Sequence, residues 1–247
     1  RLPLTGRVFL EGPAGAGKTT AAVRRLAYLV REGVPGDSIL VLTPQRTLAA
    51  PYQAVLSQMK AGGVPAIVTM GGLARRMIDL FWPVIAPECG FTHPELPPNF
   101  LTLETAQYFM AHLLRPKLDE GWFNSVRKAA LVGFPLAEIG QRLSVAWVGD
   151  PEQLHVVQDV QASVNLYRNF CLEHNLLDFS LQMEIFSQRL WANPLCRSYL
   201  LNQYRHLIYD NCEEDTPVAH DVVADWLPEL NASLVLYDWH AGFRSFL

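Results

Sequence analysis

The sequence predicts an α/β protein in which a parallel sheet is interrupted by an all-helical insertion. Short apolar, β-prone segments alternate with helix-like ones over the first eighty residues. That rhythm gives way beyond residue 82 to about a hundred residues patterned as helices, and strand-like segments return near residue 206.

Residues 7–10 (Arg-Val-Phe-Leu) are short and apolar, and a glycine-rich stretch separates them from a helical run over 18–31. Residues 38–43 read as a fully buried strand, followed by a helix over 52–60, a strand over 65–69 and a helix over 73–81. Pro83, Pro87, Pro94, Pro97 and Pro98 then crowd one segment, which suits a connector leaving a compact unit. Thr102 is placed to cap a helix over 103–114, and amphipathic stretches cover 129–148, 153–173 and 179–191. Residues 206–210 and 233–238 are β-like and each ends in aspartate. Between them, 217–227 reads as a helix with Thr216 as N-cap and Pro217 at its first position.

The chain has 247 residues, half of them hydrophobic and 18% charged, with a formal charge of 20 − 24 = −4. Such a composition excludes disorder. No uninterrupted apolar run approaches the roughly 18 residues of a membrane span, so a soluble, cytoplasmic protein is expected. Cys89, Cys171, Cys196 and Cys212 lie far apart with no CxxC pair, which indicates buried reduced thiols and neither a disulfide framework nor a zinc site. The near-neutral charge gives no overall attraction to nucleic acid, so any such partner must be held by a local patch.

Residues Gly12, Pro13, Ala14, Gly15, Ala16, Gly17, Lys18, Thr19 and Thr20 spell a full G-x-x-x-x-G-K-T phosphate loop. Its glycines let backbone N–H groups turn in around a phosphate, Lys18 supplies a point charge, and Thr19 offers a hydroxyl to Mg²⁺. A strand before and a helix after supply the context the motif needs. ATP and Mg²⁺ are therefore the expected ligands. A second acid is needed for the metal, and Asp210 at the end of a buried strand fits. The acidic residues after it, Glu213, Glu214 and Asp215, either position a water or form a solvated loop.

At these residues the chain resembles the UvrD/Rep-like superfamily 1 DNA helicases. Beside the phosphate loop, residues 39–45 (ILVLTPQ) stand in place of the family's second strand and motif Ia, and residues 68–74 (VTMGGLA) in place of its TFHSLA segment. Leu177-Asp-Phe179 matches its LDF signature, residues 207–216 (LIYDNCEEDT) look like its hhVDExQDT, and residues 234–238 sit where its motif III strand belongs. The resemblance implies a RecA-like P-loop NTPase domain, 1A, over 1–82 and 200–247, with a helical 1B insertion over 83–199. It further implies that Thr43, Pro44 and Gln45, with Thr69, Met70 and Gly71, lie on loops facing single-stranded DNA, and that Lys18, Asp210 and Glu213 or Glu214 carry ATP chemistry.

Several positions depart from the family pattern. Asn211 follows Asp210 where the family has its catalytic glutamate, and the family's glutamine becomes Glu213 or Glu214, depending on where an extra residue is placed. Motif III becomes Tyr237-Asp-Trp-His-Ala241, and no N-terminal adenine-binding glutamine motif precedes Gly12. Gly149-Asp150-Pro151 spells a better GDP than residues 237–241 but precedes Asp210 in chain order, so it is expected to begin a helix instead. The family continues beyond the position of Leu247 into a second RecA-like domain with arginine fingers, and the segment 122–128 is short for its place, which suggests missing residues.

Overall fold

The computed structural model describes residues 3–59, 62–123 and 151–239, with the backbone alone at 151–157. The helix expected over 129–148, the Gly149-Asp150 pair, most of the short segment 122–128 and His240-Ala241 lie outside the described residues. The chain divides into two compact units, Arg1–Met77 with Phe186–Leu247, and Ile78–Ile185.

The first unit is built on a five-stranded sheet. In chain order its strands are β1 (Gly6–Gly12), β2 (Ile39–Leu42), β3 (Ala66–Val68), β6 (His206–Tyr209) and β7 (Ala232–Asp238), with spatial order β1-β7-β6-β2-β3. Every pairing is parallel. Ile39, Leu40, Val41 and Leu42 of the interior strand β2 are all fully buried, as in a strand covered on both faces, whereas the edge strand β1 keeps Arg7, Phe9 and Glu11 exposed.

Helix α1 (Lys18–Arg31) buries Ala22, Leu26, Leu29 and Val30, residues spaced three and four apart on one face. They join Ile39, Val41, Ile208, Leu234, Leu236 and Tyr52 of α2 (Ala50–Leu56) in one core. Helix α8 (Pro217–Trp226) begins as the sequence predicts: Thr216 accepts a hydrogen bond from Ala219 N–H at 3.2 Å and Pro217 takes the first position. Its Trp226 is fully buried against Trp191, ring centroids 5.4 Å apart, and Trp191 Nε1 donates to Asp225 Oδ2 at 2.7 Å. Helix α7 (Pro194–Gln203), capped by Asn193, belongs to this unit as well.

Helix α3 (Met70–Ile85) runs through Pro83 rather than ending before it. In the second unit, α4 (Leu103–Asp119) is capped by Thr102 as expected and continues past Pro116. Proline lacks the amide that would bond back four residues, yet both helices continue one turn or less beyond it, where packing outweighs one lost bond. Leu114 of α4 packs with Phe123 and with Val160 of α5 (Pro151–Glu173). Helix α6 (Phe179–Ile185) closes the unit, its Glu184 paired with Arg168 of α5. Two-residue strands β4 (Asn99–Phe100) and β5 (Leu176–Leu177) pair in parallel, a feature too short to leave any periodicity. The proline-rich connector is held from within this unit: Trp82 Nε1 donates to Leu96 O at 2.7 Å, and Asn175 Nδ2 donates to His93 O at 2.6 Å and Leu96 O at 3.0 Å.

Candidate nucleotide-binding site

Because all five strands run the same way, their carboxyl ends share one edge of the sheet, the edge where open α/β sheets bind ligands. The phosphate loop leaves β1, Asp238 ends β7, Asp210 follows β6, Thr43 follows β2 and Thr69 follows β3. Register sets Gly12 beside Asp238, so the loop and the last aspartate are neighbours.

In the loop, Gly15 and Gly17 adopt φ of 76° and 85°, a left-handed geometry that other residues occupy only with strain. Gly17 supplies no side chain to cap α1, and its first turn carries no acidic residue, so the amides of that turn present an uncompensated positive end. Pro13, Ala14, Gly15, Ala16, Gly17 and Thr20 are exposed, Thr19 is half-buried, and Gly12 alone in the loop is buried. Lys18 Nζ donates to Gly12 O at 2.9 Å, Pro13 O at 2.7 Å and Asp238 Oδ2 at 3.1 Å. Both side chains of that ion pair are only 10% exposed.

Asp210 is 2% exposed. Its N–H is fixed to Leu42 O at 3.0 Å, Oδ2 accepts from the Tyr52 hydroxyl at 2.7 Å, and Oδ1 is buried with no hydrogen-bond partner. A lone buried carboxylate oxygen is costly unless something completes it, and a hard cation suits it. With the Thr19 hydroxyl at the start of α1, the donor set fits Mg²⁺ that takes its other ligands from phosphates and water. Among the described residues no group of three His, Cys, Asp or Glu could hold a metal by itself.

Asn211 occupies the left-handed region at φ 52°, ψ 44°, and opens a 3₁₀ turn over Cys212–Glu214. That turn sends the two glutamates to different partners. Glu213 Oε2 accepts from the Asp238 N–H at 3.0 Å while Oε1 is buried without a partner, so Glu213 touches the residue that holds Lys18. Burial raises its carboxyl pKa above the ordinary value; hydrogen bonds from its own and the Asp238 amides oppose the rise, and the neighbouring charges of Asp238 and Glu214 add to it. Glu214 Oε2 instead accepts from Gln45 Nε2 at 3.2 Å. Cys212 between them is buried, its thiol pushed up to about 12 by burial before any neighbouring charge.

The two loops expected to face DNA are locally self-satisfied. Thr43 is 1% exposed and its hydroxyl donates to Gln45 O at 3.1 Å, while Pro44 is half-buried and Gln45 exposed. Thr69 Oγ1 accepts from Gly72 N–H at 3.0 Å and so caps α3; Met70 is 1% exposed and Gly71 half-buried. Thr43 and Met70 are closed to solvent and the Thr43 N–H already donates to Val68 O at 3.1 Å, so Gln45 is the residue of these six that offers an exposed side chain.

Two residues at this edge carry contacts that sequence reasoning did not assign. Asp238 had a signal, since it ends a strand at the motif III position. Tyr52 had none, because a buried tyrosine after Pro51 reads as core.

Among protein-family models, the UvrD/REP helicase N-terminal domain matches residues 2–219. No curated protein matches the chain significantly.

Proposed function

We propose that this chain, which belongs to the UvrD/REP helicase N-terminal domain family, is the first RecA-like half, 1A with its 1B insertion, of an ATP-driven single-stranded DNA motor serving DNA repair or recombination. The observation that carries the reading is the meeting of Lys18, Asp238, Glu213 and Asp210 at the carboxyl edge of the sheet, beside the open amides of α1. On nucleotide binding Lys18 leaves Asp238 and the loop carbonyls for the β- and γ-phosphates, and the α1 amides cradle the β-phosphate. Thr19 and Asp210 would hold Mg²⁺, which when bound would neutralise charge on the transferring phosphoryl group. Glu213 accepts the proton of a water whose oxygen bonds to the γ-phosphorus as the bond to the bridging oxygen breaks and ADP leaves. Its raised pKa makes it a better proton acceptor than an exposed glutamate. The Gln45 and Thr69 loops face the DNA strand, where the neutral amide side chain of Gln45 suits sequence-independent phosphate contacts.

A second reading is favoured by Asn211. A neutral amide in the place of the family's glutamate suits a nucleotide-gated DNA-binding or scaffold module with little ATPase activity. ATP turnover with and without single-stranded DNA, measured on protein that contains both motor halves, separates the two. DNA-stimulated turnover supports the motor; nucleotide binding without turnover supports the module.

A further inference from the structure

We propose that Tyr52 is a positioning residue for the metal: its hydroxyl locks Asp210 so that Oδ1 is presented to Mg²⁺. The inference rests on the reading of Asp210 as the metal-holding acid. Tyr52 is fully buried in the first turn of α2, and its hydroxyl lies 2.7 Å from Asp210 Oδ2. Asp210 is thereby fixed at two points, its N–H on Leu42 O and its Oδ2 on the phenol, and the one carboxylate oxygen left without a hydrogen bond is Oδ1.

The chemistry of the donor matters. A lysine or arginine in this place would neutralise the carboxylate and repel a cation. A phenol donates one directional bond while remaining uncharged, so it places no positive charge beside the metal. An ordinary tyrosine phenol is un-ionised at neutral pH, so the hydroxyl serves as a donor there. Without that bond the carboxylate can rotate about its side-chain torsions, so Oδ1 is no longer held in one direction. That loss of orientation opposes metal binding.

The test reads binding rather than turnover. The affinity of this chain for a non-hydrolysable ATP analogue is measured by calorimetry across a Mg²⁺ titration, with melting temperature and circular dichroism recorded for each variant. Tyr52→Phe removes one oxygen and is expected to raise the Mg²⁺ needed for half-maximal affinity about tenfold, or 1.4 kcal/mol, while affinity without Mg²⁺ stays at the wild-type level. In an Asp210→Ala background the same change is expected to add nothing. 4-Aminophenylalanine at position 52, a weaker donor of the same shape, is expected to fall between phenylalanine and tyrosine, and it carries the test should phenylalanine prevent folding. If Asp210→Ala abolishes the Mg²⁺ dependence but Tyr52→Phe, or 4-aminophenylalanine in its stead, leaves the requirement at wild type, the positioning role is overturned and the metal reading stands. If Asp210→Ala leaves the Mg²⁺ dependence intact, the metal reading itself fails, and the role of Tyr52 with it.

Discussion

Replacing Glu213 with glutamine should lower ATP turnover and raise fold stability at the same time. The amide oxygen of glutamine can still accept the Asp238 N–H that Glu213 Oε2 now takes at 3.0 Å, so the link to Asp238 survives. What disappears is the proton acceptor at Oε1, the buried oxygen without a partner. Removing a positioned general base costs about 10²–10⁴ in rate, or about 3–5 kcal/mol of barrier. On the stability side, the folded state holds the Glu213 carboxyl above the ordinary value of 4.5. Below that value the carboxyl is protonated folded or unfolded, and burial carries no electrostatic penalty. As pH rises above it, the unfolded chain ionises freely while the folded site resists, so the wild type loses stability through this window and the glutamine variant does not. Melting temperatures of wild type and Glu213→Gln should therefore separate as pH rises above 4.5, the variant melting higher at neutral pH. ATPase rates with saturating single-stranded DNA, on protein with both motor halves, give the other arm. Turnover within threefold of wild type in Glu213→Gln would sink the assignment of the base, and a variant that melts lower at pH 7 than at pH 4 relative to wild type would refute the burial argument.

Lys18→Ala should weaken ATP·Mg²⁺ binding by at least tenfold in calorimetry with the fold intact, since it removes the point charge for the phosphates and leaves Asp238 without its 3.1 Å lysine partner; unchanged affinity would dismiss the phosphate-loop assignment. Asp238→Asn should tighten nucleotide binding about tenfold, because Lys18 no longer has to leave a shielded charge-assisted bond, which contributes about 1.5–3 kcal/mol; equal or weaker affinity would show that Asp238 serves the bound state instead. Asn211→Glu should destabilise the fold by about 1–2 kcal/mol in chemical denaturation, since φ of 52° suits asparagine and strains glutamate; an unaltered midpoint would mean that the turn relaxes freely.

Much of this protein is written in local sequence. Alternation of apolar segments with helical ones specifies a parallel sheet, and the helix starts at Thr102 and Thr216 follow from side chains that satisfy amides three residues on. The phosphate loop is equally local: glycine spacing, Lys18 and Thr19 lie within one turn and the helix it leads. Its chemistry needs only backbone geometry that the loop itself encodes.

Contacts between distant segments were decided by the sheet order. Placing β7 between β1 and β6 brings Asp238 to Lys18, 220 positions away, and lets the Glu213 side chain reach the Asp238 amide. From the sequence, Glu213 and Glu214 were equivalent candidates. The 3₁₀ turn after Asn211 separates them by pointing successive side chains apart, one toward Asp238 and the other toward Gln45. Tyr52 lies 158 residues from Asp210, and nothing in its surroundings distinguishes it from any other core aromatic until α2 packs against the sheet. Local patterns encode what a segment can become. Which carboxylate meets which cation or hydroxyl depends on strand order and register, which arise from packing the whole chain.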